Sequence, residues 1–163
     1  MAKQVNPIPQ GFHSVNPFLA VNDVAQAIDF YRRAFGAKER MRLNGPNGKA
    51  THAEIEFGDS IVMLGEDAPN SGLRSPQSLG SSTVSIVLYV NDVDSTFKQA
   101  TQAGARTQLP VADMFWGDRY GRVTDPFGHS WSLATHIEDV APEEMSKRAQ
   151  EAMKSQQRTA TAR

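Results

Sequence analysis

The chain has 163 residues, a net charge of -1 and no cysteine. That length suits one domain or two half-size modules sharing a core. The charge gives no electrostatic reason to expect nucleic acid or an anionic membrane as partner, and no apolar run approaches the roughly 18 residues of a membrane span. Without cysteine, disulfides, thiol nucleophiles and thiolate metal sites are all excluded. The N-terminal stretch does not pair a basic segment with an apolar one, so the expected compartment is the cytoplasm.

Residues 1–13 carry Pro7, Pro9 and Gly11 without periodicity and read as an arm. A first module spans 14–66. It opens with a strand from Ser14 to Val21, after which Asp23 is placed to cap a helix. Val24, Ala27, Ile28, Tyr31 and Phe35 recur at helical spacing, and Gly36 ends the pattern. Lys38 to Leu43 reads as a strand, and Asn44 to Gly48 as a turn.

The clearest alternation follows. Ala53, Ile55 and Phe57 fall on one face of a strand; His52, Glu54 and Glu56 fall on the other. Gly58-Asp59-Ser60 turns the chain into a partner strand from Ile61 to Leu64. Taking Ile61 and Met63 as the helix-packing positions leaves Val62, Leu64 and Glu66 beside His52. Residues 67–83, rich in Ser, Gly and Pro, read as a linker loop able to border a site.

A second module, 84–137, repeats the order. Val21-Asn22-Asp23-Val24 returns as Val90-Asn91-Asp92-Val93, a repeat of about seventy residues that occurs only twice and is too long for a solenoid. Its helix carries Val93, Phe97, Ala100 and Thr101 and stops at Gly104. Strands follow near Arg106 to Leu109, Tyr120 to Thr124 and Ser130 to Thr135, the last two joined by the turn Asp125 to Gly128. Residues 138–163 read as a helix from Pro142 to about Met153 and a disordered tail.

Two strand-helix-three-strand modules, the doubled Val-Asn-Asp-Val and the stretch Val123 to Trp131 with its Asp-Pro-Phe-Gly-His turn resemble the vicinal oxygen chelate superfamily. That group includes glyoxalase I, extradiol dioxygenases, fosfomycin-resistance enzymes and bleomycin-resistance proteins. The resemblance implies an α+β fold of two tandem βαβββ modules whose U-shaped mixed sheets curve around a cavity. It also implies a homodimer, sometimes with modules exchanged. The family's usual metal positions fall on Asn16, Val62, Ser85 and Ser132. None supplies the imidazole or carboxylate that a divalent cation needs, so no cofactor is expected and a divalent metal is disfavoured.

Strand parity then proposes a ligand pocket. Phe115, Trp116 and Tyr120 would form an aromatic wall; His52, Glu54, Glu56 and Arg122 a polar floor, with Glu66 beside them and His136 near the rim. Such a pocket suits a small organic molecule with a cationic or amide group. His52 and Glu56 are the catalytic candidates, His52 as a general base, and His52 with Glu54 or Glu56 also offers a displaced metal site. Against this stands the plain reading of a solvated sheet face. His129 and Asp59 read as turn residues bonded to the local backbone, Trp131 and Leu133 as core, and His13 as incidental. The expectation is a small-molecule-binding protein of the glyoxalase/bleomycin-resistance type. A metal-dependent lyase or dioxygenase with relocated ligands (His52, Glu56, His136) and a non-catalytic interaction module stand as alternatives, and catalysis is left open.

Overall fold

A computed structural model describes residues 5–68, 70 and 72–161. Positions 1–4 of the arm, 69 and 71 of the linker and 162–163 of the tail lie outside the described residues.

The first module runs β1 (Phe18–Val21), α1 (Val24–Phe35), β2 (Lys38–Asn44), β3 (Ala50–Phe57) and β4 (Ser60–Glu66). A short α2 (Pro76–Leu79) sits in the linker. The second module runs β5 (Ser85–Tyr89), α3 (Val93–Ala103), β6 (Arg106–Asp113), β7 (Asp118–Thr124) and β8 (Ser130–His136), and α4 (Pro142–Thr161) closes the chain. Each module forms one mixed four-stranded sheet, in the orders β1-β4-β3-β2 and β5-β8-β7-β6. The first strand of each lies parallel to the last, because a helix carries the chain across.

Both repeated motifs act as helix starts. The Asp23 carboxylate accepts the Gln26 amide and Asp92 accepts that of Ser95, each at 3.0 Å. Gly36 and Gly104, left-handed at φ 69° and 118°, let the chain leave each helix.

The helix-side faces of both sheets meet in a single core. Tyr31 and Phe35 of α1 pack on Phe57 of β3, Phe127 and Trp131. Asp125, only 2% exposed, sits at this junction. It accepts hydrogen bonds from Tyr31 Oη (2.6 Å), Trp131 Nε1 (2.9 Å) and the amides of Phe127 and His129 (both 2.9 Å). His129 Nε2 donates to the Ala20 carbonyl of β1 at 2.8 Å. The Asp-Pro-Phe-Gly-His turn therefore docks one module on the other. His129 is structural, as expected, but its ring reaches across the modules instead of to the local backbone.

Several boundaries differ from the sequence expectation, each for a local reason. β1 starts at Phe18, not Ser14: Asn16 folds back to bond both the amide and the carbonyl of His13, and sheet pairing begins where Met63 N donates to Pro17 O. β6 continues through Pro110 to Asp113, which an edge strand tolerates because its outer amides have no ladder partner. The linker is ordered locally by Asp67, whose carboxylate takes bonds from Ser75 and Ser78 at the start of α2. α4 runs to Thr161 instead of ending near Met153, through a run of Lys, Gln, Arg and Ala with neither Gly nor Pro. Among the described residues no helix is long and apolar enough to cross a membrane.

Candidate functional site: the outward sheet faces

With the helix sides buried together, the opposite face of each sheet turns outward. In the second module the register puts Asp118, Tyr120, Arg122 and Thr124 of β7 opposite His136, Ala134, Ser132 and Ser130 of β8. Ser85, Val87 and Tyr89 of β5 pair with Ser130, Ser132 and Ala134 on that face. The alternate residues face α3: Arg119 pairs with Asp94, and a β-carbon at Gly121 would lie 2.9 Å from the Phe97 ring. A glycine at 121 is therefore what lets α3 lie against β7.

Asp118 is the hub of this face. It is 5% exposed. Its Oδ2 accepts from Tyr89 Oη (2.9 Å) and Trp116 Nε1 (3.0 Å), and its Oδ1 bonds His136 Nδ1 at 2.8 Å. Burial pushes its carboxyl pKa up, but the bonds from His136, Tyr89 and Trp116 outweigh that and hold it below the usual range. His136 Nε2 bonds Asp139 at 2.9 Å, so the ring lies between two carboxylates. The bond to Asp118, then that to Asp139, raises its pKa. One buried charge thus fixes a phenol, an indole and an imidazole from three segments of chain.

A second polar chain crosses the sheet beside it. Arg122 donates from Nε (3.2 Å) and Nη2 (2.9 Å) to Tyr120 Oη. The Tyr120 hydroxyl shares a 2.6 Å bond with Ser132 Oγ, which is 3.0 Å from Ser85 Oγ. Phe115 stands edge-on to Trp116, and Trp116 edge-on to Tyr120, with ring centres 5.0 and 5.6 Å apart. Phe115, Trp116, Tyr120, Arg122 and His136 are therefore brought together on one face. Tyr89 and Val87, 60% and 55% exposed, belong to the same surface and were missed. The alternation through Ser85, Val87 and Tyr89 was the available signal. Asp118 shares its parity with Tyr120 and Arg122, but nothing in the sequence reveals its burial.

His52, Glu54 and Glu56 lie on the outward face of the first sheet, not in a pocket shared with Trp116 within this chain. The reason is that α1 and α3, with Tyr31, Phe57 and Trp131, occupy the space between the sheets. The assignment in β4 is also reversed. His52 pairs with Gly65, Glu54 with Met63 and Glu56 with Ile61, so these share the outward face. Val62 and Leu64 lie on the core side, 3% and 0% exposed. Glu66 follows their parity and pairs with Lys49. On the outward face, the Phe18 ring covers Gly65 and packs on His52 with centres 5.6 Å apart. Arg40 lies 3.8 Å from Glu54 and donates to the Gln10 carbonyl at 2.7 Å. This brings the arm over the sheet: a β-carbon at Gly11 would come within 3.1 Å of Arg40 Nη1 and 3.2 Å of Ile61 Cδ1.

The model of the Glyoxalase/Bleomycin resistance protein/Dioxygenase superfamily matches residues 11–133. The chain belongs to this superfamily. An uncharacterized protein of Mycobacterium bovis is 46% identical over 146 residues, covering 88% of this chain and 93% of that protein. The crystal structure of TioX from Micromonospora sp. ML1 is similar at TM-score 0.59 and 28% identity, covering 76% of this chain and 100% of that one. The X-ray structure of an Arabidopsis thaliana gene product gives TM-score 0.60 and 28% identity, over 76% of this chain and 98% of that one.

Within this glyoxalase/bleomycin-resistance family member, the residues at the usual metal positions do not fit a divalent cation. The strand register makes Met63 the counterpart of Ser132, since Phe18 pairs with Met63 as Val87 pairs with Ser132. Val62 is replaced by Met63 in that set, and the correction adds a thioether, not an oxygen or imidazole donor. Asn16 is engaged with His13, and the Ser85 and Ser132 hydroxyls bond each other. Among the described residues no group of three or more His, Asp or Glu side chains is arranged to hold a metal ion.

Proposed function

We propose that this glyoxalase/bleomycin-resistance-type protein binds a small organic molecule on the outward face of its second module, without the family's usual metal. The observation that carries the proposal is the convergence of Tyr89, Trp116 and His136 on the buried Asp118. Aromatic groups fixed in advance lose little freedom when a ligand arrives, so their area is available for binding. Val87 and Tyr89 stay largely exposed beside them.

The protein so proposed is a homodimer in the cytoplasm. Phe18, Leu43, Val87, Tyr89 and Leu109 are each at least 40% exposed, and each lies on an outward face. A second copy that set its first-module face over Val87 and Tyr89 would cover these apolar groups. It would also bring His52, Glu54 and Glu56 toward the aromatic face, completing the polar and aromatic walls from two chains. The metal-dependent alternative draws on His52, Glu56 and His136, which sit on different sheets.

Ligand-observed NMR with a set of small aromatic molecules tests the reading. Compounds that bind the parent are expected to lose most of their saturation-transfer signal with Trp116→Ala or Tyr89→Ala, while far-UV circular dichroism shows both variants still folded. Unchanged binding in both variants would overturn it.

A further inference from the structure

Two arginines stand apart from the rest. From Arg32 to Arg148, every other arginine with a described side chain reaches a carboxylate within 4.0 Å among the described residues. Arg106 and Arg122 do not, and both line the same cavity of about 580 Å³. Arg106 pairs with Thr124 across β6 and β7, and Arg122 lies two residues from Thr124 on the same face.

The rest of the wall is uncharged and mostly hydroxyl and amide, with Pro76 and Val84 as its apolar part. Ser85, Gln108, Thr124 and Ser130 line it from the sheet, and the hydroxyl run 81–83 closes it from the linker; no Asp or Glu is among the lining residues. The groups are already tied together: Gln108 Nε2 donates to Thr124 Oγ1 at 2.5 Å, and Ser130 Oγ donates to Ser85 Oγ at 3.3 Å. Two guanidinium forks without a carboxylate partner among the described residues of their own chain, set among hydroxyl donors, match an anion with more than two acceptor oxygens and about two negative charges.

We propose that this cavity binds the dianionic phosphoryl group of a small organic ligand. The proposal rests on the ligand face described above and names the ligand's charged end. Arg122 connects the two directly, because it donates to Tyr120, whose ring stands edge-on to Trp116. From Arg122 to Asp118 along β7 is about 13 Å at the usual rise per residue, enough for an organic body to extend from the head group over the aromatic side chains.

The test uses the full-length protein in low-salt Tris at pH 8, with phenyl phosphate, phenylacetate and benzyl alcohol as probes, followed by calorimetry and by the Trp116 indole NMR signal. Phenyl phosphate is expected to bind at least about tenfold more tightly than either other probe, in line with a charge-assisted bidentate contact. Arg106→Ala and Arg122→Ala should each weaken it about tenfold, as should added KCl, while Arg32→Ala should not. Arg106→Ala leaves the Arg122–Tyr120 bond in place, so its loss of affinity would not reflect a disturbed aromatic face. Phenyl phosphate binding no better than phenylacetate, or undiminished in the double variant, would overturn the proposal. If benzyl alcohol shifts the Trp116 signal and the phosphate adds nothing, the oxyanion site falls and the ligand face stands. If no probe shifts it, both fall.

Discussion

At the scale of single residues, two buried aspartates organise the molecule for different ends. Asp125 joins the modules, and Tyr31 is the donor that reaches it from the other module. Burial, then the neighbouring carboxylate, raises the Tyr31 phenol far above its usual pKa, so it remains a donor at ordinary pH. Tyr31→Phe keeps the ring packing and removes that bond, and urea unfolding should show a loss of about 1–3 kcal/mol. Asp118 organises the outward face. Because His136 titrates above its ordinary value of 6.5 in the fold, its contribution to stability is fully present below about 6.5 and is lost as pH rises through the raised value. NMR titration should find the His136 pKa raised in the parent and returned toward 6.5 in Asp118→Asn, with the pH dependence of stability flattened over the same window. An unraised value in the parent would remove Asp118 as the hub.

At the scale of elements, local rules were legible and relations between elements less so. The repeated Val-Asn-Asp-Val gave both helix starts because a cap needs only the residues beside it. The alternation of β3 gave its two faces for the same reason. β4 failed because its faces depend on the length of the preceding turn. On the outward face Glu56 pairs with Ile61 across four residues, whereas Thr124 pairs with Ser130 across five. Aligning the repeats on their turn glycines therefore shifts β4 by one residue, and a shift of one exchanges its faces. The absence of cysteine makes this directly testable. In single-cysteine variants, a thiol reagent should modify Met63→Cys in the native protein much faster than Leu64→Cys; equal rates would contradict the register. Leu64→Ala should cost about 2–5 kcal/mol on the same argument.

At the scale of the whole molecule, sequence patterns gave two modules but not which faces meet. Each sheet has one apolar and one mixed face, and the repeat does not say whether the helix layers or the mixed faces come together. The aromatic side chains of Tyr31, Phe35, Phe57 and Trp131 decide it, since their burial requires the helix sides to meet. Both mixed faces are left outward, which is why a second copy enters the account. Light scattering should then give a mass about twice 17.9 kDa, and Tyr89→Glu or Val87→Glu should shift it toward the monomer. A monomeric parent would remove the partner's share of the site.

The chain's two tryptophans report on its two sides: Trp131 is 1% exposed in the core, and Trp116 belongs to the aromatic face. Their indole signals in a ¹⁵N-labelled protein, followed while phenyl phosphate and neutral aromatic molecules are added, give the most direct measurement. Saturable movement of the Trp116 signal with Trp131 stationary is the expected result. A Trp116 signal that no compound moves, or one that moves only together with Trp131, would contradict a ligand site on the second module's outward face.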